Sequence, residues 1–203
     1  MSERIRRLTD DLLTGTVVGL VTGVAVFALG VYVDNQRTAV QERVENLRFV
    51  RDRSSEDENQ PRPFRSLDLA EQSLAGLRLS GAELVGANLR ESDMRFIQLS
   101  RAILVNADLE KAALSQSTLY EARFEGAKLQ EAKVNNAFAK GANFKGSDLR
   151  AVDFSGTSLQ GADFTDAVNL AEANLNGSCW DTTTKWPANF TPPQSGDPNS
   201  CPQ

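Results

Sequence analysis

The stretch AGLRLSGAELVGANL, residues 75–89, places a leucine at 79, 84 and 89. A helix returns a buried face every 3.6 residues and a strand every two, so a period of five belongs to neither. Stepped by five from Leu69 to Phe164, the sequence offers twenty positions. They read thirteen Leu, four Phe (Phe124, Phe144, Phe154, Phe164), Met94, Val134 and Ala139. Two residues earlier, from Leu67 to Ala162, eleven of twenty are Ala, and Ser92, Ser117, Ser147, Thr157 and Val152 add five more short ones. A frame held for about a hundred residues is an internal repeat array, whose units bury their apolar side only by stacking on one another.

The repeating unit, written ANLRE, ADLEK, ANFKG and ADFTD in this chain, resembles that of the pentapeptide-repeat family over residues 67–182. The resemblance implies an all-β solenoid, a right-handed quadrilateral β-helix with four pentapeptides per coil. Large central residues would point to the axis and small ones two places earlier would turn the corners. Two departures test the frame. At AFAKG the central residue is Ala139, so either Phe138 swings inward to fill the gap or its ring stays outside. At DAVNLAEANL the frame shifts by one, to Leu170, Leu175 and Trp180, which predicts a bulge near Val168–Asn169.

Outside the array, a short basic stretch, 1–11, precedes 22 uncharged, mostly apolar residues, 12–33. At about 1.5 Å rise per residue such a helix spans a hydrocarbon core, so 12–33 reads as a single transmembrane helix in contact with membrane lipid. A cleaved signal peptide is the rival reading, through the ALG at 28–30; the length of the run and the acidic Asp10 and Asp11 speak against it. Gly15, Gly19 and Gly23 form a stripe that permits close approach of a second helix, hence a homodimer, or merely line a lone anchor. A charged juxtamembrane helix, 34–53, and a polar linker, 54–66, lead to the array, and a cap and Cys/Pro-rich tail, 183–203, follow it. The segment 34–53 reads as a helix lying against the first coil, or else as a short stalk paired with a neighbour's. There Trp180, Trp186 and Phe190 are placed to cover the exposed end of the solenoid. The T-x-W-P-x-x-F element containing the last two also follows the coils in similar proteins.

Cys179 and Cys201 are the chain's two cysteines. Paired, they would fasten the tail, a link worth about 2–4 kcal/mol. A disulfide also requires an oxidising compartment and so favours an extracytoplasmic repeat domain. The arginines flanking 12–33 point the other way: five, from Arg37 to Arg53, follow the span within twenty residues.

With no histidine in the chain, the usual general base and the commonest metal ligand are missing. No glycine-rich phosphate loop or zinc spacing of cysteines occurs, so the reading is non-enzymatic, without cofactor or metal. Some members of the resembled family protect DNA gyrase by imitating duplex DNA. Imitation across about six coils would need a net charge near −15. Residues 62–178 carry thirteen basic and fifteen acidic side chains, a net of −2, and their most acidic face reaches only −3. Nucleic-acid imitation, and with it a cytoplasm-facing modulator of a type II topoisomerase, is therefore the second reading. The first is a membrane-anchored scaffold that binds an unidentified protein partner, with Val85, Ile103, Val105, Phe96 and Tyr120 as the candidate patch.

Overall fold

The computed structural model describes residues 28, 29, 31–54 and 62–195, divided between two compact units, Met1–Glu42 and Arg43–Gln203. In the first unit every described residue is helical, and Leu29, Val31, Tyr32 and Val33 are exposed. No helix among the described residues is long and apolar enough to cross a membrane. The expected span 12–33 lies largely outside them, and Gly15, Gly19 and Gly23 lie wholly outside.

The second unit is a right-handed β-helical solenoid. Parallel bridges join each residue that precedes a central one to the residue twenty further on, from Pro63↔Glu83 to Asp148↔Val168. Each coil therefore carries four central side chains, which stack in four columns. One reads Phe64, Leu84, Leu104, Phe124, Phe144, Phe164, every one fully buried. The small residues two places earlier are buried as well; where one is Ser92, Ser117 or Ser147, its hydroxyl donates to the carbonyl three residues before it.

The pentapeptide motif follows from an account of its five backbone N–H groups. Around Leu89, the N–H of Leu89 and of Glu91 donate to the next coil, at Asp108 O (2.7 Å) and Glu110 O (2.9 Å). The N–H of Asn88 donates to the previous coil at Leu67 O (2.9 Å), and that of Ala87 closes the turn on Leu84 O (3.1 Å). One donor is left, at Arg90, and the Asn88 side chain accepts it (3.4 Å). The same bond recurs from Ala70 to Asp68 (3.1 Å), Glu110 to Asp108 (3.2 Å) and Thr165 to Asp163 (2.9 Å). The Asp or Asn of the repeat is there because only a short side-chain acceptor reaches the N–H two residues on. The second residue after each central one has positive φ, at Gly126 and Gly156 but also at Lys111, Asn136 and Phe96. A Cβ at Gly126 or Gly156 would lie 2.5 Å from the side-chain oxygen of Asn106 or Asn136.

Both ends are finished differently from the middle. At the start, the outward-turned carbonyls of the first coil have no coil beneath them. Asn46 Nδ2 donates to Asp68 O (3.0 Å), Arg43 Nη1 to Ala70 O (3.4 Å) and Arg51 Nη2 to Ser73 O (2.9 Å). The buried Arg62 donates to Arg78 O (3.0 Å). Helical residues 43–54 thus close two faces of the edge and Arg62 a third, with fully buried Val50 on the core and Phe49 edge-on to Phe64 (5.7 Å between ring centroids). At the far end the bridging register lengthens to Asp153↔Asn174 and then to Asp163↔Lys185. The first slip is at the expected place, where Asn169 is left-handed (φ 59°) and Leu170–Glu172 form a 3-10 turn, η1. The second, between Cys179 and Lys185, carries the ladder past residue 182, so Trp186 stacks on Phe164 (5.0 Å, 3° between planes) and extends the first column.

Candidate functional site

The register sorts the outward side chains into four faces. Val85, Ile103 and Val105 share one: Ile103 is bridged to Glu83 and Arg123, and the Gly86 N–H donates to Val105 O (2.9 Å). All three are half-buried. Tyr120 is on the preceding face, and Phe96 stands at the corner before that one, more than half exposed and held at φ 60°. The five patch candidates are therefore spread over neighbouring faces. Phe138, the departure noted at AFAKG, does not turn inward: it is half-buried outside, 6.3 Å from Tyr120 between ring centroids, and Ala139 fills the axial position alone. Tyr120 also lines a groove of about 500 Å³ with Ser100, Arg101, Lys140, Gly161 and Asp181.

The face richest in charge is internally paired. Arg90 contacts Asp108 (3.6 Å) and Glu110, Lys128 contacts Asp108 (3.6 Å), and Arg43 contacts Glu71 (2.8 Å). The Arg90 hydrogen bond holds the Glu110 carboxyl below its ordinary range, and the Arg95 hydrogen bond does the same for Asp93. Bases from the same coil or the next one thus meet several of the acids, the opposite of an unbroken anionic stripe. Among the described residues no group of His, Cys, Asp and Glu is placed to hold a metal ion.

Near the far end, Cys179 is buried and disulfide-bonded; Cys201, the one other cysteine of the sequence, lies outside the described residues. Trp180, Trp186 and Phe190 pack on the core, with Trp180 edge-on to Trp186 (5.3 Å) and Phe190 tilted on it (5.5 Å). Asp181 pins the second register slip. Its Oδ1 accepts from Thr183 Oγ1 (2.5 Å), Thr183 N (2.9 Å) and Gly161 N (3.3 Å). The Thr183 hydroxyl is the main cause of a carboxyl pKa below the ordinary value, with the backbone donors adding to it. A depressed carboxylate contributes stability above its unfolded pKa of about 3.9 and loses it as pH falls through the folded value. Asp181→Asn is expected to be less stable than the parent at pH 7 by well under about 1 kcal/mol, because solvent screens the exposed carboxylate, and the gap narrows as pH falls below about 4. Paired thermal melts at pH 7 and pH 3 read this, and a gap that is the same at both would remove the carboxylate from the account.

Three features were outside the reach of sequence reasoning: the side chains that finish the first coil, the Tyr120–Phe138 contact and the second slip. The corners alone left a trace, in the glycines that recur in one register from Gly76 to Gly161.

The family description Pentapeptide repeats matches the chain in eight copies, over residues 68–104, 92–130, 107–146, 127–166 and 142–179. No curated protein matches the sequence. Among solved structures, a pentapeptide repeat protein from Nostoc Pcc 7120 is 30% identical over 46% of this chain and 77% of its own, with a TM-score of 0.45. One from the Arabidopsis thaliana thylakoid lumen is 30% identical over 49% and 66%, with a TM-score of 0.39. QnrB1, a plasmid-mediated fluoroquinolone resistance protein, is 20% identical over 57% and 60%, with a TM-score of 0.33. With the motif explained bond by bond and the family description spanning more than half of its 203 residues, this chain belongs to the pentapeptide-repeat family.

Proposed function

We propose that the chain is a membrane-anchored, non-enzymatic scaffold whose solenoid binds a partner protein. The observation that carries the reading is the alignment of Val85, Ile103 and Val105 on one face of a backbone whose register fixes their spacing. Branched aliphatic side chains held on a rigid surface lose little entropy on binding, which suits a docking patch for an apolar contact. The anchor is supported by the uncharged run 12–33 and by the exposed apolar side chains at its described end, Leu29 to Val33. The disulfide at Cys179 supports a solenoid on the oxidising side of that membrane.

The test is a photo-crosslinking amino acid placed at Val105 of the full chain in cell membranes, with Ser115 on another face as the control position. The expected result is one membrane-sedimenting adduct from Val105, absent from Ser115 and lost on adding Ile103→Asp. Equal adducts from both positions, or none from Val105, would overturn the reading. An adduct containing a type II topoisomerase would turn it to the cytoplasm-facing alternative.

A further inference from the structure

Among the described residues, the far end of the solenoid is closed on only part of its perimeter. Trp186 and Phe190 lie over one column, and Ser195 Oγ accepts the Trp180 N–H (3.1 Å). At Leu175 the pattern of every earlier coil calls for two more donations, from the central N–H and from the one two residues on. One coil below, Phe154 N donates to Asn174 O (2.8 Å) and Gly156 N to Asn176 O (3.0 Å). The corresponding N–H groups of Leu175 and Gly177 donate to nothing among the described residues, and nothing there donates to Ala173 O. The near end, by contrast, has its outward carbonyls met on three faces by side chains.

Beside this unpaired edge lies a groove of about 530 Å³. Leu170, Ala173 and Leu175 line one wall, Phe190, Thr191 and Pro193 the other, and none of its lining residues is charged. An uncharged groove beside two donors and one acceptor in ladder register matches one ligand chemistry: an uncharged peptide in extended conformation, with an apolar side chain for the groove. We propose that this edge takes up such a segment of a partner protein as an added parallel strand. Its two carbonyls, two residues apart, would accept from Leu175 and Gly177, and the N–H of the first of those residues would donate to Ala173 O. The strand would repeat for the last coil what Asn174 and Asn176 do for the coil below. This deepens the scaffold reading and rests on it, but involves none of the residues that the crosslinking experiment alters.

The probe is the capped peptide Ala-Asn-Leu-Asn-Gly-Ser, the sequence of residues 173–178 itself, added to the full chain in lipid nanodiscs. The amides of Leu175 and Gly177 are expected to shift in NMR spectra, saturating below about 1 mM peptide, and to exchange roughly tenfold more slowly when saturated. Filling the groove from either wall, by Ala171→Trp or Thr191→Trp, is expected to weaken binding at least roughly tenfold, about 1.4 kcal/mol. Lys133→Trp, on the same face but below the groove, is the control and leaves binding unchanged. No shift at those two amides up to about 5 mM peptide overturns the proposal. So does protection of both amides in the peptide-free monomer, which would make the chain's own tail the occupant. Protection that rises with protein concentration overturns it in favour of a second copy.

Discussion

Phe144→Ala is expected to lower the unfolding free energy by about 3–5 kcal/mol, the range for removing a buried aromatic ring that its surroundings cannot replace. The ring is stacked between Phe124 (5.0 Å) and Phe164 (5.1 Å) and meets Phe154 edge-on (5.4 Å). Its backbone is tied to the coils on both sides, through Phe144 N to Asp163 O (2.7 Å) and Asn143 N to Ala122 O (2.9 Å). A coil held above and below cannot close onto the void, so both the lost transfer energy and the cavity count. Phe144→Leu is expected to cost less than half as much, because Leu84 and Leu104 occupy the same column lower down. Urea unfolding of the three proteins measures the difference. A loss below about 1 kcal/mol for the alanine variant would mean that the column is not close-packed.

How much of this was legible in the sequence depends on the distance between cause and effect along the chain. The axial columns were legible because each central residue meets its neighbour at a fixed interval of twenty, and the amino-acid types record that burial directly. The slip at Asn169 was legible for the same reason, since the leucines at 170 and 175 step out of frame. The second slip was not. Trp186 lies 22 residues after Phe164, and no further leucine follows to mark the new frame. The assignment of side chains to faces was legible, and by register alone Phe96 and Tyr120 leave the face of Val85, Ile103 and Val105. The finishing of the first coil was hidden for a different reason. Arg43, Asn46, Arg51 and Arg62 resemble any polar surface residue, and only the position of carbonyls 16 to 27 residues later reveals them as the missing donors.

Those donors act only while the helix that carries three of them stays seated, which makes Val50 the residue on which the near end depends. Its side chain is fully buried, beside half-buried Leu47, and Phe49 one residue earlier meets Phe64 while the Arg53 guanidinium sits 4.1 Å above the Phe49 ring. Val50→Asp would put an unpaired carboxylate among these groups. Burying it costs more than the contacts of 43–54 return, so the helix is expected to leave its seat, at a loss of about 3 kcal/mol or more. In a solenoid, where each coil contacts only its neighbours, the damage should remain local. The amides of Leu69, Leu74 and Leu79, which bond the first coil to the second, are expected to exchange at least roughly tenfold faster. Those of Phe154 and Leu159, near the other end, are expected to keep their parental rates. Uniform acceleration along the whole array would show instead that the coils open as one block, with the end helix stabilising all of them. Unchanged exchange at Leu69, Leu74 and Leu79 would mean that the first coil needs no finishing. The donors from Arg43, Asn46 and Arg51 would then contribute nothing that water does not supply.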